Sequence, residues 1–202
     1  MSIFRNIFRS KSNKEKEEIK NDERGKYMPQ VKLPIDESFT INFKSNGGKF
    51  LYSENLDEVY ENLNAIIKEN KWEEQPVYFY DKNLKDRFKN ATLTFADYPK
   101  DATFFFTTCE NLIADDGSLL ISSNQIAEKK LPEFPNNFIV FATTSQIVTN
   151  IGEGLRQIKT KNKQKLPTNI TTIKHFKNVE EKDFLSYGSA SKNLYLLLLE
   201  DL

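Results

Sequence analysis

Thr107 to Ser123 reads T-T-C-E-N-L-I-A-D-D-G-S-L-L-I-S-S, Lys129 to Ala142 reads K-K-L-P-E-F-P-N-N-F-I-V-F-A, and Thr144 to Leu155 reads T-S-Q-I-V-T-N-I-G-E-G-L. Asp115-Asp116-Gly117 separates an apolar lead-in, Leu112 to Ala114, from a strand-like run, Ser118 to Ile121. Acidic residues followed by glycine suit a tight turn, because glycine accepts positive φ and an Asp side chain caps the bend. In Phe138 to Ala142 apolar residues fill successive rather than alternate positions, which predicts a strand buried on both faces near the middle of a sheet. Ser145 offers an N-cap hydroxyl to a predicted helix whose Ile147, Val148, Ile151, Leu155 and Ile158 share one stripe. Strand followed by helix is the rhythm of an α/β protein.

The rest of the chain extends that rhythm. Asn55 with Glu58 three residues on marks the start of a helix with Leu56, Val59, Tyr60, Leu63, Ile66 and Ile67 on one face. Val77 to Tyr80 and Ala91 to Phe95 read as strands, Asn83 to Phe88 as a short helix, and Phe104 to Thr107 as an apolar element of either type. A basic loop, Lys159 to Lys165, leads through Pro167 to Ile170–Ile173, and Leu194 to Leu199 reads as a final buried strand. The expected architecture is a mostly parallel sheet with helices on both faces.

At 202 residues the chain is long enough for one substantial core, although its apolar fraction of 38% is slightly low for such a length. A polar tail contributes to that deficit. Ser10 to Lys26 is almost wholly charged or polar and buries too little apolar surface to offset the entropy of ordering. Residues 1–26 are therefore expected to form a disordered charged tail, and 27–202 a single α/β domain. Ile3, Phe4, Ile7 and Phe8 fall at helical spacing beside Arg5, Arg9 and Lys11, a pattern suited to a membrane surface or a partner, with a frayed terminus as the plainer reading.

Arg5 and Arg9 interrupt the apolar core that a secretory signal requires, and Leu194 to Leu199 is far shorter than the roughly 20 residues of a membrane span. The expectation is a cytoplasmic protein with no integral membrane segment. Cys109 is the one cysteine and His175 the one histidine, so no internal disulfide forms and no thiolate-based metal or iron–sulfur centre is expected. No cofactor and no metal site are expected. Cys109 reads as a small core residue rather than a nucleophile. Asn46-Gly47-Gly48 is too short for a dinucleotide fingerprint and suits a turn. Lys plus Arg equals Asp plus Glu at 29 each, which leaves no overall positive field to attract nucleic acid.

Taken in order, these motifs resemble the lactate-utilisation (LUD) domain family. Its turn, written roughly I-A-E-T-G-T, is matched by Ile113-Ala114-Asp115-Asp116-Gly117-Ser118, with Asp115 in the glutamate's place. The family's basic residue, Leu-Pro step, strand and S-Q-I-V are matched by Lys129 or Lys130, Leu131-Pro132, Phe138 to Ala142 and Ser145 to Val148. Tyr187 to Tyr195 resembles the family's Gly-His-Gly-Pro turn without its His and Pro, and Lys174 to Lys182 holds no counterpart of Gly-Pro-Ser-x-Thr-Ala-Asp-Ile. The chain is thus identified as a divergent member over about residues 50 to 202.

The resemblance implies a fold like that of the sugar-phosphate isomerases and CoA-transferases, with a pocket at the carboxyl ends of the strands. It also implies a place beside iron–sulfur partner proteins in lactate oxidation. Asp115 and Asp116 are the candidate catalytic acids or ligand-holding carboxylates, and turn chemistry explains them equally well. Lys129 and Lys130 are candidates to neutralise a carboxylate or phosphate. Gly117, Gly188, Ser189 and Ser191 are candidates to present amides and hydroxyls to an anion. Two functions follow: an accessory subunit that binds partner proteins and an organic acid, or an enzyme or binder acting on a phosphorylated or carboxylated metabolite.

Overall fold

The computed structural model describes residues 33–176 and 192–201. The charged tail over 1–26 and the candidates Gly188, Ser189 and Ser191 lie outside the described residues. In chain order the elements are α1 (Ile35–Ser45), β1 (Lys49–Ser53), α2 (Leu56–Glu69), β2 (Pro76–Tyr78), α3 (Lys82–Arg87), β3 (Thr94–Phe95), β4 (Phe104–Thr108), β5 (Asn111–Ile113), β6 (Ser118–Ile121), α4 (Ser123–Ile126), β7 (Asn137–Thr143), β8 (Ile147–Val148), α5 (Ile151–Lys161), β9 (Thr171–Ile173) and β10 (Asn193–Leu199).

Six strands form a wholly parallel sheet in the order β1-β10-β7-β4-β2-β3. The predicted strands β7 and β10 are both interior, β7 at the centre, and pair from Asn193 opposite Asn137 to Leu199 opposite Thr143. Because strand side chains alternate between faces, Leu194, Leu196 and Leu198 join Phe105, Phe138 and Val140 on one side of the sheet. Tyr195 and Leu197 join Phe104, Phe106, Ile139 and Phe141 on the other.

The second of these faces is covered by α2 and α3. Val59, Leu63, Ile66 and Ile67 of α2 and Leu84 of α3 are buried against it, and Trp72 stacks on Phe104 at 4.8 Å between ring centroids. Each such apolar side chain stabilises the fold by roughly 1.5–3 kcal/mol. The start of α2 is the one expected: Asn55 Oδ1 accepts the Glu58 amide at 3.0 Å, and Glu58 Oε2 accepts the Glu54 amide at 2.8 Å.

The first face is covered by α1, through Phe39 and Phe43, and by a second sheet ordered β8-β5-β6-β9. Leu112, Leu119, Ile121 and Ile173 of that sheet point inward to the main core, while Ile113, Leu120 and Val148 point outward and meet Ile158 of α5. A Cβ on Gly154 would lie 3.1 Å from Leu120 and 3.3 Å from Ile113, so glycine lets α5 sit close on this sheet. The layers run α2 and α3, main sheet, α1 with second sheet, then α5.

One expected element changes. Ser145 does not cap a helix: Thr144–Gln146 is a 3₁₀ turn, Ile147–Val148 is β8, and α5 begins at Ile151 with Asn150 Oδ1 accepting the Glu153 amide at 3.0 Å. Ile147 and Val148 pair with Leu112 and Ile113, and β-branched residues facing an unpaired strand edge favour that pairing over a helical turn. Helix α5 also continues to Lys161, into the stretch expected as loop. Asn46-Gly47-Gly48 is the expected turn, a loop that closes α1 and leads into β1.

The Asp115-Asp116-Gly117 turn does join two strands, β5 and β6, which pair antiparallel. Gly117 has φ +68°, and a Cβ there would stand 2.3 Å from the Phe43 amide nitrogen and 2.4 Å from the Asn42 carbonyl carbon. Both the backbone angle and the helix behind it exclude a side chain. Gly117→Ala is expected to destabilise the protein by about 3 kcal/mol or more, measured as a lowered midpoint of urea unfolding. An unchanged midpoint would show that the turn does not press on α1.

Candidate functional site

Helix α1 grips the acidic turn. The Asn42 amide donates to the Ala114 and Asp115 carbonyls at 2.8 and 3.2 Å, and the Asn46 amide donates to the Asp116 carbonyl at 2.6 Å. Asp116 Oδ1 accepts from the Ser118 amide and hydroxyl at 3.0 and 2.6 Å, and Oδ2 lies 3.5 Å from Lys174 Nζ. Burial raises the affinity of Asp116 for its proton, but Ser118 and Lys174 together outweigh it and hold the carboxyl below its ordinary range. The Asp115 side chain is exposed.

The position of this turn in the fold follows from its neighbours. Asn46 closes α1 just ahead of β1; the Phe176 amide donates to its carbonyl at 3.0 Å, and the Lys192 amide donates to the His175 carbonyl at 3.2 Å just ahead of β10. The turn therefore stands beside the segments that enter the parallel strands, toward their amino ends. Lys174 is a cation that the sequence reading did not single out. Its signal there, a lone Lys between a strand and the one His, is too weak to find it.

A second polar group follows the carboxyl ends of β4, β7 and β10, the place where open α/β sheets usually hold ligands. Glu110, buried, accepts from Ser122 Oγ at 2.6 Å and Asn124 Nδ2 at 2.8 Å. The Gln146 amide donates to the Cys109 carbonyl at 2.6 Å while its oxygen accepts from the Thr143 amide at 2.8 Å. Asp201 accepts from the Thr144 hydroxyl, the Ser145 amide and the Ser145 hydroxyl at 2.9, 2.9 and 2.6 Å. Slight burial works against its charge, yet these donors prevail and its carboxyl too is held low. Ser145 thus acts at this strand end rather than at a helix start.

Lys129 and Lys130 stand after α4. Among the described residues no hydrogen bond or ion pair joins their side chains to Asp115 or Asp116, and the Lys129 carbonyl accepts from the Asn169 amide at 2.7 Å. Cys109 is buried, and burial first, with Glu110 beside it, pushes its thiol far above the ordinary value. Such a thiol is a poor nucleophile. Among the described residues no group of three His, Cys, Asp or Glu is placed to hold a metal. Lys192, 2% exposed, donates to the Phe134 and Pro135 carbonyls at 3.1 and 2.9 Å and lies 5.0 Å from the Phe138 ring centroid. Its burial lowers the ammonium pKa to about 8.

A six-stranded parallel sheet with helices against both faces, carrying a small second sheet on one of them, defines an α/β domain of the open-sheet class. The chain belongs to the LUD domain family, whose model matches residues 37–199. The fold is similar to the crystal structure of a DUF162 family protein from Deinococcus radiodurans, at 12% identity and a TM-score of 0.58, with 86% of this chain and 100% of that one covered. That likeness is one of fold. No curated protein matches the sequence. Among the described residues no helix is long and apolar enough to cross a membrane.

Asp116 and Lys192 act on stability in opposite pH ranges. Asp116 binds its proton less readily folded than unfolded, so its contribution is complete above the ordinary value of 3.8 and fades as pH falls through the lower folded value. Asp116→Asn should flatten the acid limb of a plot of Tm against pH, and an unchanged limb contradicts this role. Below about pH 8 Lys192 is charged in both states and folding bears the whole desolvation cost. Between about 8 and 10.5 the folded chain sheds the proton first, and stability gains. Lys192→Met should remove that gain in the same plot, and a gain retained in the variant would assign it to another group.

Proposed function

We propose that this chain is an accessory subunit of a lactate-oxidising or related redox system, acting in the cytoplasm by binding partner proteins and a small organic acid. One observation carries the reading. The polar side chains beyond the carboxyl ends of β4, β7 and β10 are bonded to one another or to the backbone: Glu110 to Ser122 and Asn124, Asp201 to Thr144 and Ser145, Gln146 across to the Cys109 carbonyl. The buried thiol, held protonated, adds to this picture of strand ends built for shape rather than for covalent chemistry. Membership of the LUD domain family over 37–199 supports the link to lactate.

In this reading the organic acid is met at the acidic turn. Asp115 and Asp116 hold its hydroxyl above Gly117, and Lys174, partly exposed beside Asp116, joins Lys129 or Lys130 in balancing its carboxylate. Gly188, Ser189 and Ser191 complete the site in the proposal. Iron–sulfur proteins are the partners.

The test is genetic and biochemical together. Deleting the gene is expected to slow growth on L-lactate but not on glucose, and the tagged chain from lactate-grown cells is expected to co-purify with a protein carrying an iron–sulfur visible absorption. Normal growth on lactate with a chain that purifies alone overturns the reading. A rise of several degrees in Tm on adding a sugar phosphate or an acyl-CoA, with no response to L-lactate, would instead favour a metabolite enzyme or binder.

A further inference from the structure

We propose that the outer surface of α5 and the loop after it is a docking face for an anionic phospholipid membrane. The proposal stands apart from the accessory-subunit reading and shares only Lys174 with it. From Gly154 to Phe176 the chain holds six cations, Arg156, Lys159, Lys161, Lys163, Lys165 and Lys174, and no Asp or Glu. All six are exposed. Lys174 pairs with Asp116; for the other five no ion pair is present among the described residues.

The apolar part of the face lies on the same helix. The buried side of α5 is Gly154 and Ile158, whereas Ile151 is 48% and Leu155 42% exposed. Ile151, Leu155 and Lys159 follow one another four residues apart along one ridge, with Arg156 beside it. Large aliphatic side chains bordered by unpaired cations match the boundary of a bilayer, where the former reach the acyl region and the latter the phosphates. An acid-free run of this length is also what a uniformly negative surface selects, since a protein partner usually presents charges of both signs.

The opposite outer layer has the opposite charge. Residues 54–74, from Glu54 through α2 to Glu74, carry seven acids and two lysines, and α2 packs on the far face of the main sheet. A chain with no net charge is thus polarised across its layers, and a negative surface orients it with α5 inward and α2 outward. The sequence adds a second segment of the same chemistry, Ile3 to Lys11, with Ile3, Phe4, Ile7 and Phe8 among Arg5, Arg9 and Lys11.

The experiment is sedimentation of the full chain with vesicles of phosphatidylcholine alone or mixed in equal parts with phosphatidylglycerol. Binding is expected only with phosphatidylglycerol, weakened by added salt. Each cation at such a surface contributes about fivefold in partitioning, so the triple variant Lys159→Gln, Lys163→Gln, Lys165→Gln should bind on the order of a hundredfold more weakly. These side chains are exposed and the variant should keep the Tm of the parent. Ile151→Ser with Leu155→Ser should make the remaining binding more sensitive to salt. Equal sedimentation with both vesicle types overturns the proposal, as does undiminished binding by the triple variant, which would move the contact to another surface. Salt-sensitive self-association without vesicle binding would overturn it in favour of α2 of one copy meeting α5 of another.

Discussion

The side chains of Leu194 to Leu198 are all buried, and they alternate between the two faces of one sheet. A central parallel strand of this kind is stable only if both faces are kept from water, and that demand arranges the rest of the chain. Helices α2 and α3 serve one face from the first half of the sequence. The other is served by α1 from ahead of the sheet and by β5, β6, β8 and β9, which the chain inserts between β4, β7 and β10. Because the second sheet is itself apolar on both sides, it needs a cover in turn, and α5 provides it.

The acidic turn takes its meaning from this layering. It is the tip of the hairpin that closes one face, and it is set on α1 by Asn42 and Asn46 and by the fit of Gly117 against Phe43. At the root of the same hairpin lie Glu110 and Ser122, bonded at 2.6 Å. One hairpin thus connects the strand-exit end of the main sheet with its strand-entry end. A ligand or partner at either end acts on an element whose other end is fixed in the core.

The elements legible from sequence were those with one dominant local signal. Asn55 and Glu58 announce α2, and the continuous apolar runs of β7 and β10 announce buried strands. The LUD resemblance, carried by Ile113 to Ser118, Leu131-Pro132 and Ser145 to Val148, pointed to the family that the chain belongs to. Helix α1 was not read, because Phe39 and Phe43 are the only large buried apolar residues in Ile35–Ser45, and Thr40, Asn42 and Ser45 dilute the stripe. The shift of Ser145 from helix cap to strand end had a different cause. Ile147 and Val148 fit a helical stripe as well as a short strand, and only the edge of β5, remote in sequence, decides between them. Lys174, Lys192 and Asp201 were equally hidden, since each owes its role to partners from 55 to 60 positions away.

Cys109 closes β4 where the hairpin departs, and its thiol is enclosed between the main sheet and the second one. A thiol reagent in solution reaches such a group only through an opening that parts the two layers. As the chain has no other cysteine, its labelling rate is a clock for that parting alone. The free energy that keeps the inserted strands on the sheet is therefore readable in the native protein, at one atom, without unfolding it.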